Sequence, residues 1–256
     1  MAADHAIMAG QTAGQSPPTL HFYAWRPACV SLGKFQRQAE TVDLERCRAL
    51  GVDVVTRPTG GRAILHEEDE VTFSIIVPES TLGTSQIMDS YRILATGMVA
   101  GLRALGAEAD LVERRGRATG VGQAPSGPGV NPACFAAKAR CDLVVAGGKL
   151  VGSAQLRRDG VVLQQNSLPV AISFARWAEV FADGQRWVGG DAEDHPDAVG
   201  LRSVLGRDTT FGEVRDALVK GFETALDIRL EAGELTPGEA AQAEELRPQY
   251  LAQRAR

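Results

Sequence analysis

Cysteine is scarce in this sequence, four in 256 residues. No two of them stand in a CxxC spacing, which argues against a disulfide framework and against a zinc site. The expected compartment is therefore the reducing cytoplasm. The four histidines, His5, His21, His66 and His195, are scattered and suggest no metal centre. No apolar run approaches the ~18 residues of a membrane-spanning helix. No basic stretch followed by an apolar run marks a secretory signal. Internal repeats are missing, and so is the GxxxxGK[ST] phosphate loop. Positive charge is in deficit: the net charge is −5, which disfavours non-specific binding to nucleic acid.

An apolar content of 44% is ordinary for a water-exposed protein. A chain of this length buries a sizeable core and is expected to form one domain with a small appendage. Residues 2–10 read as a helix. Residues 20–25 read as a strand, with 28–32 as its partner. A short helix over 43–50 ends on Gly51, and 52–55 read as a buried strand. Residues 70–77 alternate like a strand. Residues 84–105 form the longest helix, with Ile87, Tyr91, Leu94, Met98, Leu102 and Leu105 near one face. Residues 107–112 and 142–146 read as strands. Gly147-Gly148 and Asp159-Gly160 then supply two tight turns. Helices are expected over 174–181, 211–226 and 237–250. The fold class is α+β (α/β): a mixed, largely antiparallel sheet core with packed helices and a helical C-terminal segment.

Two stretches carry candidate chemistry. Residues 116–132 are rich in Gly, Pro and Ala without apolar period, and lead to Cys134; long loops of this kind are usually functional or disordered. Across the next strand stands Lys149, and period two places Lys149, Val151, Ser153 and Gln155 on one face. A nearby ammonium favours thiolate over thiol, as a nucleophile requires. The plainer readings stay open: Cys134 as a small buried residue, Lys149 as an exposed turn lysine. Cys29, Cys47 and Cys141 read as packing residues. Gly152 leaves a gap through which a ligand could pass.

The second stretch is Arg57-Pro58-Thr59-Gly60-Gly61-Arg62-Ala63-Ile64-Leu65-His66. Its glycines allow close backbone approach, and its arginines suit a phosphate or a pantetheine-type arm. The alternative is a hairpin turn with solvated arginines. His66 alone reads more readily as a hydrogen-bonded structural histidine. Residues 114–159 carry eight basic residues against two acids, a local excess of six positive charges on an acidic chain.

Taken in order, these residues resemble the lipoate/octanoate attachment family, in the biotin/lipoate protein ligase-like superfamily. Met1–Ala6 resembles its first helix, Ser31-Leu32-Gly33-Lys34-Phe35-Gln36 its SLGxxQ turn, Arg57–His66 its acyl-binding loop, and Lys149 with Val151–Gln155 its lysine strand. Gly60-Gly61-Arg62 and Pro132–Phe135 are similar to the cysteine-dependent, ligase-like octanoyltransferases. Thr56 stands where the family often has a second arginine. Gln165-Asn166 stand where it usually has histidine and glycine. Members usually begin with a strand before the first helix, so an upstream start or a missing edge strand is expected here.

The resemblance implies that residues 1–170 are the catalytic core and 171–256 a helical part of the same domain. It implies transfer of an octanoyl or lipoyl group from acyl carrier protein to a lipoyl domain or glycine-cleavage H-type protein. Cys134 would be the acyl-thioester nucleophile and Lys149 its partner. Arg57, Thr59, Gly60, Gly61, Arg62, His66, Ser74, Gly152, Ser153 and Ala154 would surround the substrate. No cofactor or metal is expected, nor a nucleic-acid or membrane partner, and the chain would act as a monomer. The alternatives are an ATP-dependent lipoate–protein ligase, which would add ATP and magnesium, and a non-catalytic relative that binds acyl groups or carrier domains.

Overall fold

The computed structural model describes residues 1–112, 142–182 and 198–251. Along the chain run α1 (Ala2–Thr12), β1 (Thr19–Tyr23), β2 (Cys29–Leu32), α2 (Gln38–Thr41), α3 (Leu44–Ala49) and β3 (Asp53–Thr56). There follow β4 (Ile64–His66), β5 (Val71–Pro78), α4 (Ile87–Ala104), β6 (Asp110–Leu111), β7 (Leu143–Val145), β8 (Gly148–Arg158) and β9 (Val161–Leu168). Helices α5 (Phe174–Val180), α6 (Leu201–Leu205), α7 (Phe211–Leu226) and α8 (Pro237–Leu251) complete the described chain.

Local chemistry sets several of these boundaries. Asp43, Ser173 and Thr210 cap α3, α5 and α7 by accepting from the backbone N–H three residues on. Thr236 and Glu239 cap α8 reciprocally: Glu239 N–H donates to Thr236 Oγ1 and Thr236 N–H to Glu239 Oε2.

Among the described residues the strands form two sheets. The larger has the order β1-β5-β9-β8-β7-β6 and is antiparallel throughout. The smaller has the order β3-β2-β4, with β2 parallel to β3 and antiparallel to β4. The expected pairing of 20–25 with 28–32 is therefore wrong. β1 pairs with β5, and β2 lies in the other sheet, where Val30 and Leu32 join a separate apolar cluster with Trp177 and Phe181. Two successive strands need not pair when each has its own core to enter.

Strand β5 is buried along Val71–Val77 rather than alternating. It is interior: Phe73, Ile75 and Val77 pack with Leu94, Met98, Leu218 and Phe222 of α4 and α7, while Ile76 packs with Ile7 and Met8 of α1. Both faces of the sheet are thus covered. On α4 the buried stripe is Ser90, Leu94, Ala95, Gly97, Met98, Gly101 and Leu102, and Ile87 is exposed. The stripe is displaced because α7 approaches closely: a Cβ on Gly101 would lie 2.8 Å from the Ala217 carbonyl oxygen. Leu201, Val214 and Leu218 share the main apolar cluster with the strands.

The turn between β7 and β8 is Ala146-Gly147, one residue earlier than expected, and both residues have positive φ. That is the two-residue geometry whose twist suits a hairpin. Asp159-Gly160 adopts the same geometry between β8 and β9, as expected.

Candidate active site

Lys149 enters the site through a β-bulge. Leu143 pairs with Val151 but Val144 pairs with Lys149, so β8 has one residue more than β7 at Leu150. Leu150 and Val151 both join the main apolar cluster. The bulge breaks the simple alternation expected for Lys149, Val151, Ser153 and Gln155 and turns Lys149 away from Val151. The backbone there is fixed from outside: Val199 N–H donates to the Lys149 carbonyl, and Lys149 bridges Ala198.

Lys149 is 2% exposed, so it is not a solvated turn lysine. Its Nζ lies 3.1 Å from Oδ1 of Asp142, also buried. A buried ammonium requires such compensation. Sequence reasoning treated Asp142 only as the start of a strand. The signal was there, an acid entering an apolar run that a two-residue turn joins to a lysine.

The Arg57–Ala63 segment is not a hairpin. It leaves β3, crosses the end of β2 and enters β4 on the far side. Gly33, closing β2, makes that crossing possible: a Cβ there would stand 2.0 Å from the Gly61 carbonyl oxygen. Gly61 itself has φ +89°, in the region that favours glycine. Lys34 N–H donates to the Thr59 carbonyl. Arg57, 3% exposed, holds the loop from inside. Its guanidinium donates to the Gly60, Arg62 and Ser31 carbonyls, to Thr59 Oγ1 and to Ser31 Oγ. Arg57 is thus a buried loop brace, not a solvated arginine.

These elements line an open cleft. Of the residues named from sequence, Arg57, Gly61, His66, Gly152, Ser153 and Ala154 line it, together with Trp25, Ser31 and Gln165. Thr59 and Ser74 lie behind its wall. Thr59 Oγ1 donates to Gln165 Oε1 at 2.9 Å, and Ser74 Oγ donates to Asp4 Oδ2 at 2.9 Å. Gly60 and Arg62 meet Arg57 through their carbonyls. Lys149 precedes the cleft-lining part of β8 by three residues. Cys134 and Cys141 lie outside the described residues, as do the loop over 116–132 and His195.

Asp4, fully buried, anchors this wall to α1. It accepts from Gln165 Nε2 at 2.8 Å and Ser74 Oγ, and lies 2.9 Å from His21 Nδ1. Burial alone would raise its carboxyl; the amino group of residue 1, His21 and Gln165 outweigh that and hold it well below the usual carboxylate range. Burial and then Asp4 push the Tyr23 hydroxyl well above its ordinary value. Gln165, which departs from the family pattern, is thus the link between Asp4 and the Thr59 loop. Cys47 fits its packing role, since burial first and Asp43 second push its thiol up to about 11. Among the described residues no three acids, cysteines or histidines are placed to hold a metal, and no helix is long and apolar enough to cross a membrane.

A buried lysine on a strand that lines a cleft, a braced glycine loop and two sheets of this topology are the features that a comparison with acyl-attachment enzymes takes up. The lipoyl protein ligase A/B catalytic domain matches residues 1–223, and the chain belongs to that family, within it to the octanoyltransferases of the LipM type. It is 41% identical to octanoyltransferase LipM of Kyrpidia tusciae over 98% of this chain and 91% of that one. It is 38% identical to that of Moorella thermoacetica over 98% and 90%. In fold it is similar to lipoate-protein ligase A bound with ATP, with TM-score 0.72 and 24% identity over 96% of this chain and 87% of that one. The bipartite lipoate protein ligase of Thermoplasma acidophilum gives TM-score 0.70 and 23% identity over 96% and 85%.

Proposed function

We propose that the chain takes an octanoyl group from the thioester of an acyl carrier protein onto Cys134. It then passes the group to a lysine of a lipoyl domain or H-type glycine-cleavage protein. The observation that carries this reading is Lys149, buried against Asp142 on the strand that walls the cleft, in a chain whose relatives over nearly its full length are octanoyltransferases.

The Cys134 thiolate attacks the donor thioester, and the tetrahedral oxyanion collapses to an octanoyl-cysteine and a free carrier thiol. The Lys149 ammonium stabilises first the thiolate, then the developing oxyanion. Burial strengthens both interactions, because few water dipoles compete. Thioester exchange is near balance and amide formation from a thioester is downhill, so neither ATP nor a metal is required. The braced Gly60–Gly61 loop and the Gly152–Ala154 strand hold the acyl and thioester groups between them. Residues 1–170 form the catalytic core, with 171–256 a helical part of the same domain, acting as a cytoplasmic monomer.

Intact-mass measurement tests this. Octanoyl-carrier protein without ATP should add one octanoyl mass to the enzyme and none to Cys134→Ala. An adduct that survives in Cys134→Ala, or labelling that requires ATP, would favour the ligase reading.

A further inference from the structure

A second buried network borders the cleft, and the reaction above does not use it. Ser31 on β2 and His66 on β4 both line the cleft, and both are nearly fully buried. Ser31 Oγ lies 2.7 Å from His66 Nε2, and His66 Nδ1 lies 2.6 Å from Glu70 Oε1. Glu70 is 1% exposed and also accepts from Thr72 Oγ1 at 2.5 Å. Trp25 stacks on the His66 ring, centroids 4.4 Å apart, and fixes its plane. A hydroxyl, an imidazole and a carboxylate in this order form a proton relay.

Donor and acceptor capacities set its direction. Arg57 can only donate, and its Nη1 reaches Ser31 Oγ at 3.2 Å. With His66 Nδ1–H donated to the carboxylate, Nε2 is left to accept the Ser31 proton. A hydroxyl has one proton and two acceptor positions. Ser31 therefore gives its proton to His66, takes one donor from Arg57, and keeps a second acceptor position for an N–H at the cleft.

We infer that Ser31, His66 and Glu70 accept the proton that the incoming acceptor lysine must lose before it can attack the octanoyl-cysteine. Resting on the Cys134 reading above, this assigns the network to the second half-reaction. The acceptor ammonium passes a proton to Ser31 Oγ as the Ser31 proton moves to His66 Nε2. The resulting imidazolium is held by the Glu70 carboxylate. The neutral amine attacks the thioester carbonyl, the C–N bond forms and the C–S bond breaks. The amine's second proton goes to the departing sulfur by way of Lys149. One proton ends on His66 and one on Cys134. Ser31 is the group that meets substrate; His66 and Glu70 act through it as positioning residues.

The test separates the two half-reactions on the full chain. Enzyme is first loaded from octanoyl-carrier protein, then mixed with unmodified lipoyl domain, and both steps are followed by intact mass. His66→Gln and Ser31→Ala should slow transfer about 100-fold, the usual contribution of a positioned base, and slow loading far less. Hydroxylamine, already neutral at pH 7, should discharge wild-type and variant octanoyl-enzymes at the same rate. Loading or hydroxylamine discharge that falls in step with transfer would show that the network only supports the fold, and would overturn the inference. So would unchanged transfer in both variants. If wild type itself does not load Cys134, the functional reading fails first and this inference falls with it.

Discussion

Lys149 Nζ and Asp142 Oδ1 stand 3.1 Å apart across a bulged hairpin, both buried. Removing either partner takes this compensation from a buried charge, which costs about 3–5 kcal/mol. Lys149→Met should therefore lower the melting temperature and abolish transfer. Adding Asp142→Asn to it should restore much of the stability and none of the activity. Lys149→Arg should also lose most activity, since a planar guanidinium cannot take the ammonium's place. Thermal melts with acyl-loading assays check all three; a Lys149→Arg enzyme near the wild-type rate would make the lysine a mere charge.

Gly33 carries the crossing of the glycine loop. Gly33→Ala drives a methyl into the Gly61 carbonyl, which is backbone and cannot swing aside. The expected loss is about 2 kcal/mol of stability, with acyl loading impaired because Gly61 lines the cleft. Chemical denaturation and loading rates measure this together.

Asp4 predicts acid behaviour. Its carboxyl is depressed in the folded state, so its contribution is complete above the unfolded value of about 3.9. It is lost as pH falls below that value toward the folded one. Asp4→Asn should lose about 2–3 kcal/mol at neutral pH. Its stability should converge toward wild type on acidification below about pH 3.9. Urea melts at several pH values give the comparison; a constant gap down to pH 2 would contradict it.

The basic residues at the end of β8 divide by burial. Arg157 donates to the Ser85 and Gln86 carbonyls and to Ser90 Oγ, and so braces the start of α4. Arg158 is exposed. Arg157→Ala should lower the melting temperature. Arg158→Glu should not, but should raise KM for an acidic carrier protein at low ionic strength. That effect should fade as salt shortens the screening length. An equal KM effect on a small octanoyl thioester would show that Arg158 acts at the acyl site instead. Lys149 and Arg157, two of the basic residues between Arg114 and Asp159, are thus engaged by partners within the fold.

Local sequence rules determined much of the framework. Phe211–Leu226 is helical over the span expected, because Thr210 caps it and its apolar period is strong. The Asp159-Gly160 turn formed where two residues tolerant of positive φ interrupt alternating strands. The ordered motifs around Gly33, Gly60-Gly61, Lys149 and Gly152 indicated the family, because close backbone approach leaves glycine little alternative. Tertiary structure decided which faces those elements present. It put β2 beside β3 and β4 rather than β1, since pairing partners are set by which core each strand enters. It rotated Lys149 by a one-residue bulge onto Asp142, and drew Arg57 inward to brace the loop. It also brought Ser31, His66 and Glu70, scattered over forty positions, within hydrogen-bond reach. Side-chain partners of this kind depend on distances through space, to which the order of residues along the chain gives no direct access.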